Sequence, residues 1–124
     1  MLLALLLTAT MLGCGKHGPT ERYFNRQPIR HWLEEIRNSD PKARKKAADV
    51  LGNAGLSDRA AIPALAGALK DEDAGVRDAA VLALSKLGPA AASAARDLEE
   101  LLEDEDGVVR SHAATALERV RAPK

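Results

Sequence analysis

Aromatic side chains are scarce in this sequence. There is one Trp, one Tyr and one Phe among 124 residues, although apolar residues make up 46% of the chain. An interior of that composition must be built from Ala, Leu and Val, which suits helices that pack closely side by side. Cysteine is as scarce: with Cys14 alone, no intramolecular disulfide can form and no cysteine-based metal site can be assembled. Net charge is absent too, since 18 Lys and Arg balance 18 Asp and Glu. Bulk electrostatics therefore draws the molecule neither to nucleic acid nor to anionic lipid. The sequence also has no glycine-rich phosphate loop, no nucleophile elbow and no carboxylate pair set apart from those on exposed faces. Its three histidines, His17, His31 and His112, are far apart, and no His-Glu dipeptide occurs. Neither catalysis nor a metal or other cofactor is expected.

What the chain does have is a period. Asp40, Asp73 and Asp106 lie 33 residues apart, as do Arg44, Arg77 and Arg110, then Ala47, Ala80 and Ala113, then Leu51, Leu84 and Leu117. Upstream in each unit, Trp32, Leu65 and Leu98 share one column, and Ile36, Leu69 and Leu102 another. A period of this length without insertions means stacked supersecondary units, each burying a face against its neighbours. Within a unit the apolar residues follow the i, i+3, i+4, i+7 spacing of amphipathic helices. The shorter first helices are expected at about 29–38, 61–70 and 94–103, with Pro63 in a first turn where proline is tolerated.

Each second helix is expected to open on the aspartate as N-cap, with Pro41 following the first of them. Each buries a stripe of small residues: Ala47, Val50, Leu51 and Ala54; Ala80, Ala83, Leu84 and Leu87; Ala113, Ala116, Leu117 and Val120. Gly55 and Gly88 stand where a left-handed residue commonly ends a helix. Trp32 occupies a column otherwise filled by leucine and belongs to the core. Each arginine follows its aspartate by four residues and can reach acidic groups of its own or an adjacent unit. As an exposed ladder, such pairs would set register more than stability, at about 0–1 kcal/mol each.

The run Asp-x-x-Val-Arg-x-x-Ala-x-x-Ala-Leu, read at Asp73, Val76, Arg77, Ala80, Ala83 and Leu84 and again from Asp106 to Leu117, resembles HEAT repeats. The likeness is to the short bacterial kind related to phycobilisome lyases. Asp40-Pro41-Lys42-Ala43-Arg44 is the same run with Ala43 in place of Val, and the Thr-Pro-Leu-His signature of ankyrin repeats is absent. The resemblance implies an all-α fold, a right-handed α-solenoid of three antiparallel helix pairs, with repeats at about 28–56, 57–89 and 90–121. It also implies protein binding as the usual business of the fold, with a chromophore-lyase-like or other enzyme-accessory role as the alternative. Few units and few aromatics are available to stack on a tetrapyrrole.

Ahead of the repeats, Leu2 to Leu12 is an apolar run about half as long as the roughly 20 residues that span a bilayer. It reads as the core of a signal peptide over residues 1–13. Met11-Leu12-Gly13-Cys14 resembles the bacterial lipoprotein cleavage motif, although Leu12 is bulkier than the usual residue and no Lys or Arg precedes the apolar run. The resemblance implies lipidation at Cys14, residues 14–27 as a lipidated tether, and export to a bacterial cell envelope. The alternative is that Cys14 is a small apolar residue of an uncleaved tail.

Charge is unevenly placed. Lys42, Arg44, Lys45 and Lys46 make one helix basic, while Asp97, Glu99, Glu100 and the run Glu103 to Asp106 make another acidic. The basic cluster is one short patch without interleaved aromatics, which does not suit nucleic acid. Second-helix positions outside the buried stripes are the candidate surface for an unidentified protein partner. They are Lys45, Lys46 and Asp49, then Asp78 and Leu82, then Ser111, His112 and Thr115.

Overall fold

The computed structural model describes residues 22–124. These fold into an α-solenoid of three helix pairs: α1 (Ile29–Glu35) with α2 (Pro41–Ala54), α3 (Ala61–Ala68) with α4 (Ala74–Leu87), and α5 (Ala95–Glu100) with α6 (Gly107–Val120). The long second helices stack in a row, α2 on α4 and α4 on α6, and each first helix packs on its own second helix. The expected three-unit stack is thus the observed one.

Capping explains where the long helices begin. Asp40, Asp73 and Asp106 are extended N-caps whose side chains accept the backbone N–H of Lys42, of Val76, and of Val108 and Val109, respectively. Each such cap contributes about 1 kcal/mol. The first helices start near the expected residues but end sooner, at Glu35, Ala68 and Glu100. Their last turns tighten as each chain swings toward its second helix; Leu101–Glu103, for instance, is a 3-10 turn. A second 3-10 segment, Gly88–Ala94, leads into α5 and buries Ala91 and Ala94.

The core is one continuous cluster running the length of the stack. Ala47, Ala80 and Ala113 are fully buried, as are Leu51 and Leu84, and Trp32 is buried among them. Val50 departs from the expected stripe, because it is only partly covered. Leu102 departs further: its column-mates Ile36 and Leu69 are buried, whereas Leu102 is 38% exposed, with no further unit against it among the described residues.

Of the two expected glycine helix ends, only one uses positive φ. Gly88 has φ 56°, a conformation that costs a side-chain-bearing residue, and its N–H closes α4 on the carbonyls of Leu84 and Ser85. Gly55 is helical, φ −60°. Its requirement is space, since a Cβ there would lie 2.6 Å from Leu87 Cδ1.

A small hairpin precedes α1. β1 (Tyr23–Phe24) pairs antiparallel with β2 (Gln27–Pro28) through Asn25 and Arg26, both at positive φ as a type I′ turn requires. Trp32 Nε1 donates to the Phe24 carbonyl at 2.8 Å, and Arg22 donates to Ser57 O. Residues 22–27, placed in the tether by the sequence reading, therefore lie against the first repeat. Pro28 is the N-cap of α1.

Candidate interaction surface

Because the second helices stack side by side, their outward residues form one surface. Lys45, Lys46 and Asp49 on α2, Leu82 on α4 and Ser111 and Thr115 on α6 are exposed, while Asp78 and His112 are half-buried. All eight candidates thus belong to one row of helices, and the structure joins two of them directly. His112 Nδ1 lies 2.6 Å from Asp78 Oδ1. A carboxylate only accepts, so Nδ1 is the donor of this contact. His112 is thereby anchored across the α4–α6 contact. Lys46 is also engaged, with its Nζ 5.8 Å from the Trp32 ring centroid. Leu82, 42% exposed, stands between the charged and polar flanks of this surface. Cys14 lies outside the described residues.

What makes the surface rigid is a buried ladder that the sequence reading placed on the outside. Arg44 and Arg77 are only 8% and 7% exposed. Arg44 donates through Nε and Nη2 to Asp71 at 2.8 and 3.1 Å, and through Nη1 to the carbonyls of Asn38 and Ser39. One unit on, Arg77 repeats the arrangement on Asp104 at 2.9 and 3.1 Å and on the carbonyls of Asp71 and Glu72. Each guanidinium thus holds its own inter-helix turn and reaches forward to the next. Arg110 makes only the first half, donating to Asp104 O, and is exposed. The estimate for exposed pairs does not apply to a bidentate, desolvated contact of this kind.

The carboxylates Asp71 and Asp104 were not singled out from the sequence. They were legible in the Asp-x-Asp turns at 71–73 and 104–106, which repeat at the same period of 33. The first carboxylate of each turn takes the arginine and also accepts the N–H of the capping aspartate, Asp73 from Asp71 and Asp106 from Asp104. In the first unit Asn38 fills that column and accepts from Asp40 N. No preceding arginine among the described residues calls for a charge there.

Burial alone would raise the pKa of Asp104, but the N–H of Asp106 and the guanidinium groups of Arg77 and Arg110 outweigh it and hold the carboxyl below its usual value. A folded value below the unfolded one means stability that is fully present above the unfolded pKa, about 3.9. It is lost as pH falls through the folded value. The stability gap between wild type and Asp104→Asn is therefore expected to be widest near neutral pH and to narrow below about pH 4. Urea midpoints measured across that range check this. A gap independent of pH would mean that the Asp104 charge does not contribute.

Among the described residues no group of His, Cys, Asp or Glu is arranged to hold a metal ion. No described helix is long and apolar enough to cross a membrane.

The three stacked pairs agree with comparison to known families. The family profile for HEAT repeats matches residues 29–122. The chain belongs to the HEAT-repeat family. HEAT repeats commonly mediate protein–protein interaction. The fold is also similar to the crystal structure of an engineered protein from the Northeast Structural Genomics Consortium, with TM-score 0.63 and 24% identity. That match covers 74% of this chain and 44% of the other, and at this identity it speaks to fold alone. Among curated proteins none matches.

Proposed function

We propose that this HEAT-repeat protein is a non-catalytic interaction module of a bacterial cell envelope, anchored by lipid at Cys14 and docking a protein partner on the outward face of α2, α4 and α6. The observation that supports it best is the pairing of a repeated apolar scaffold with a varied surface. The buried stripe stays apolar in every unit, with Ala47, Ala80 and Ala113 and Leu51, Leu84 and Leu117 identical, while the outward columns read Lys45, Asp78, Ser111 and Asp49, Leu82, Thr115. Stacking alone places no demand on those outward residues, and a rigid row of chemically different side chains suits recognition of one shaped partner. The apolar run ahead of Gly13-Cys14 supports the anchor, because two or more acyl chains at about 0.8 kcal/mol per buried methylene hold a domain at a bilayer stably.

Two measurements on the full chain separate the parts of this reading. Metabolic labelling with palmitate is expected to mark the wild type and not Cys14→Ala; equal labelling of both would remove the anchor. Affinity capture from envelope extracts is expected to yield a protein retained by wild type and lost from Lys45→Glu/Lys46→Glu, with the melting temperature of the variant checked because Lys46 also contacts Trp32. A bound chromophore in place of a protein would favour the enzyme-accessory role.

A further inference from the structure

The first helices carry a feature that the second-helix surface does not explain. Between α1 and α3 lies a cleft of about 250 Å³ lined by Ile36, Arg37, Pro63, Ala64, Gly67 and Ala68. Ile36 and Ala68 are buried, whereas Arg37, Pro63 and Gly67 are exposed. The carboxylate of Asp71, which also borders the cleft, is already occupied by Arg44 and by the N–H of Asp73.

The repeat itself shows how this cleft differs from its neighbour. One period on, between α3 and α5, the positions of Arg37, Ala64 and Gly67 are held by Lys70, Asp97 and Glu100. There Lys70 Nζ meets Asp97 Oδ1 at 3.9 Å across the groove. Between α1 and α3 the cation is kept and both acids are gone. The Arg37 side chain has no hydrogen bond or ion pair among the described residues, and a Cβ built on Gly67 meets nothing within 4 Å. The same fold thus sets an ion pair from Lys70 to Asp97 across one groove and leaves Arg37 of the other without a carboxylate at either matching position.

We infer that the α1–α3 cleft is a second docking site, independent of the second-helix face, for a helical segment of a partner protein that presents a carboxylate one turn from a branched aliphatic side chain. The carboxylate replaces the missing Asp97 equivalent on Arg37, a guanidinium suited to bidentate carboxylates. The aliphatic group fills the space over Ala64, Gly67 and Ala68. A cavity of about 150 Å³ accepts a benzene ring, so 250 Å³ accepts such a side chain with part of its backbone. A helix brings both groups to one face at i and i+3 or i+4.

The test is NMR of the full chain, titrated with a lactam-stapled amphipathic helix carrying Leu and Glu one turn apart and with its Glu→Gln twin. The Glu peptide is expected to shift the Gly67 amide and the Arg37 Nε–H signals, and the Gln twin to bind about tenfold more weakly, as expected for loss of one charge-assisted hydrogen bond. Ala64→Asp and Gly67→Glu give the first cleft the residues of the second. Each is expected to weaken the Glu peptide at least tenfold while leaving the melting temperature unchanged or raised, so lost binding is not lost folding. Equal binding of both peptides, undiminished binding by Gly67→Glu, or no shift with either peptide at about 1 mM would each overturn the inference. So would shifts caused by octanoate and not by the peptides, because the site would then be one for free acids.

Discussion

Replacing Arg77 with alanine is expected to destabilise the fold by about 3 kcal/mol, among the largest effects available to a single side chain here. This guanidinium donates four hydrogen bonds, two to the carboxylate of Asp104 and two to the carbonyls of Asp71 and Glu72. The side chains of Arg77 and Asp104 are 8% and 7% exposed, so truncation leaves a carboxylate nearly buried with its countercharge removed. Removing one member of such a pair typically costs more than the pair contributes, because the partner's desolvation is no longer offset. For a domain near 100 residues, 3 kcal/mol lowers the melting temperature by more than about 10 °C. Arg110→Ala is the internal control. It sits in the same column but is exposed and has no forward carboxylate, so its effect is expected within about 0.5 kcal/mol. Similar urea midpoints for the two variants would mean that the forward rung adds nothing and that the turn carbonyls alone account for the arginine column.

This contrast marks what the sequence could and could not disclose. Columns of Asp, Arg, Ala and Leu recurring every 33 residues fixed the number of units, the helix order and the caps, because those depend on local patterns repeated in register. Whether the arginine column is exposed or buried depends on how closely adjacent turns approach, and a one-dimensional period is silent on that. Asp71 and Asp104 follow from the same geometry: each lies 27 positions after the arginine that it receives, a separation with meaning only once the units are stacked. The Asp78–His112 contact spans 34 residues and was hidden for a related reason, since its two members occupy different columns.

The hairpin and the cleft were illegible in other ways. Tyr23-Phe24 and Gln27-Pro28 form strands of two residues, too short for an alternating pattern, and Asn25-Arg26 is an uncommon pair for a turn with positive φ at both positions. The α1–α3 cleft is made by what is small or missing at Ala64 and Gly67. Small residues in a repeat rich in alanine draw no notice until the neighbouring groove shows Asp97 and Glu100 in their places.

Close approach of the second helices leads to the other large effect, at Gly52. Ordinary helix propensity favours replacing a mid-helix glycine, by about 0.5–1 kcal/mol for alanine. Here the sign is expected to reverse. A Cβ at Gly52 would lie 2.7 Å from Ala83 Cβ and 3.0 Å from Ala83 Cα, so it meets the backbone of α4 and not a side chain that can turn aside. Gly52→Leu is expected to cost about 3 kcal/mol or more by forcing α2 and α4 apart, and Gly52→Ala about 1–2 kcal/mol net of the propensity gain. Two other glycines calibrate the cause. At Gly55 the obstructing atoms are the ends of the Leu87 side chain, which can rotate, so alanine there costs less. At Gly67 nothing obstructs, and alanine is expected to stabilise by the propensity term alone. Thermal melts of the three alanine variants should therefore rank Gly52 lowest, Gly55 intermediate and Gly67 above wild type. A uniform rise across all three would mean that α2 and α4 have slack between them. In that event the alanine columns would reflect composition, and the rigidity of the outward surface would have to come from the arginine ladder.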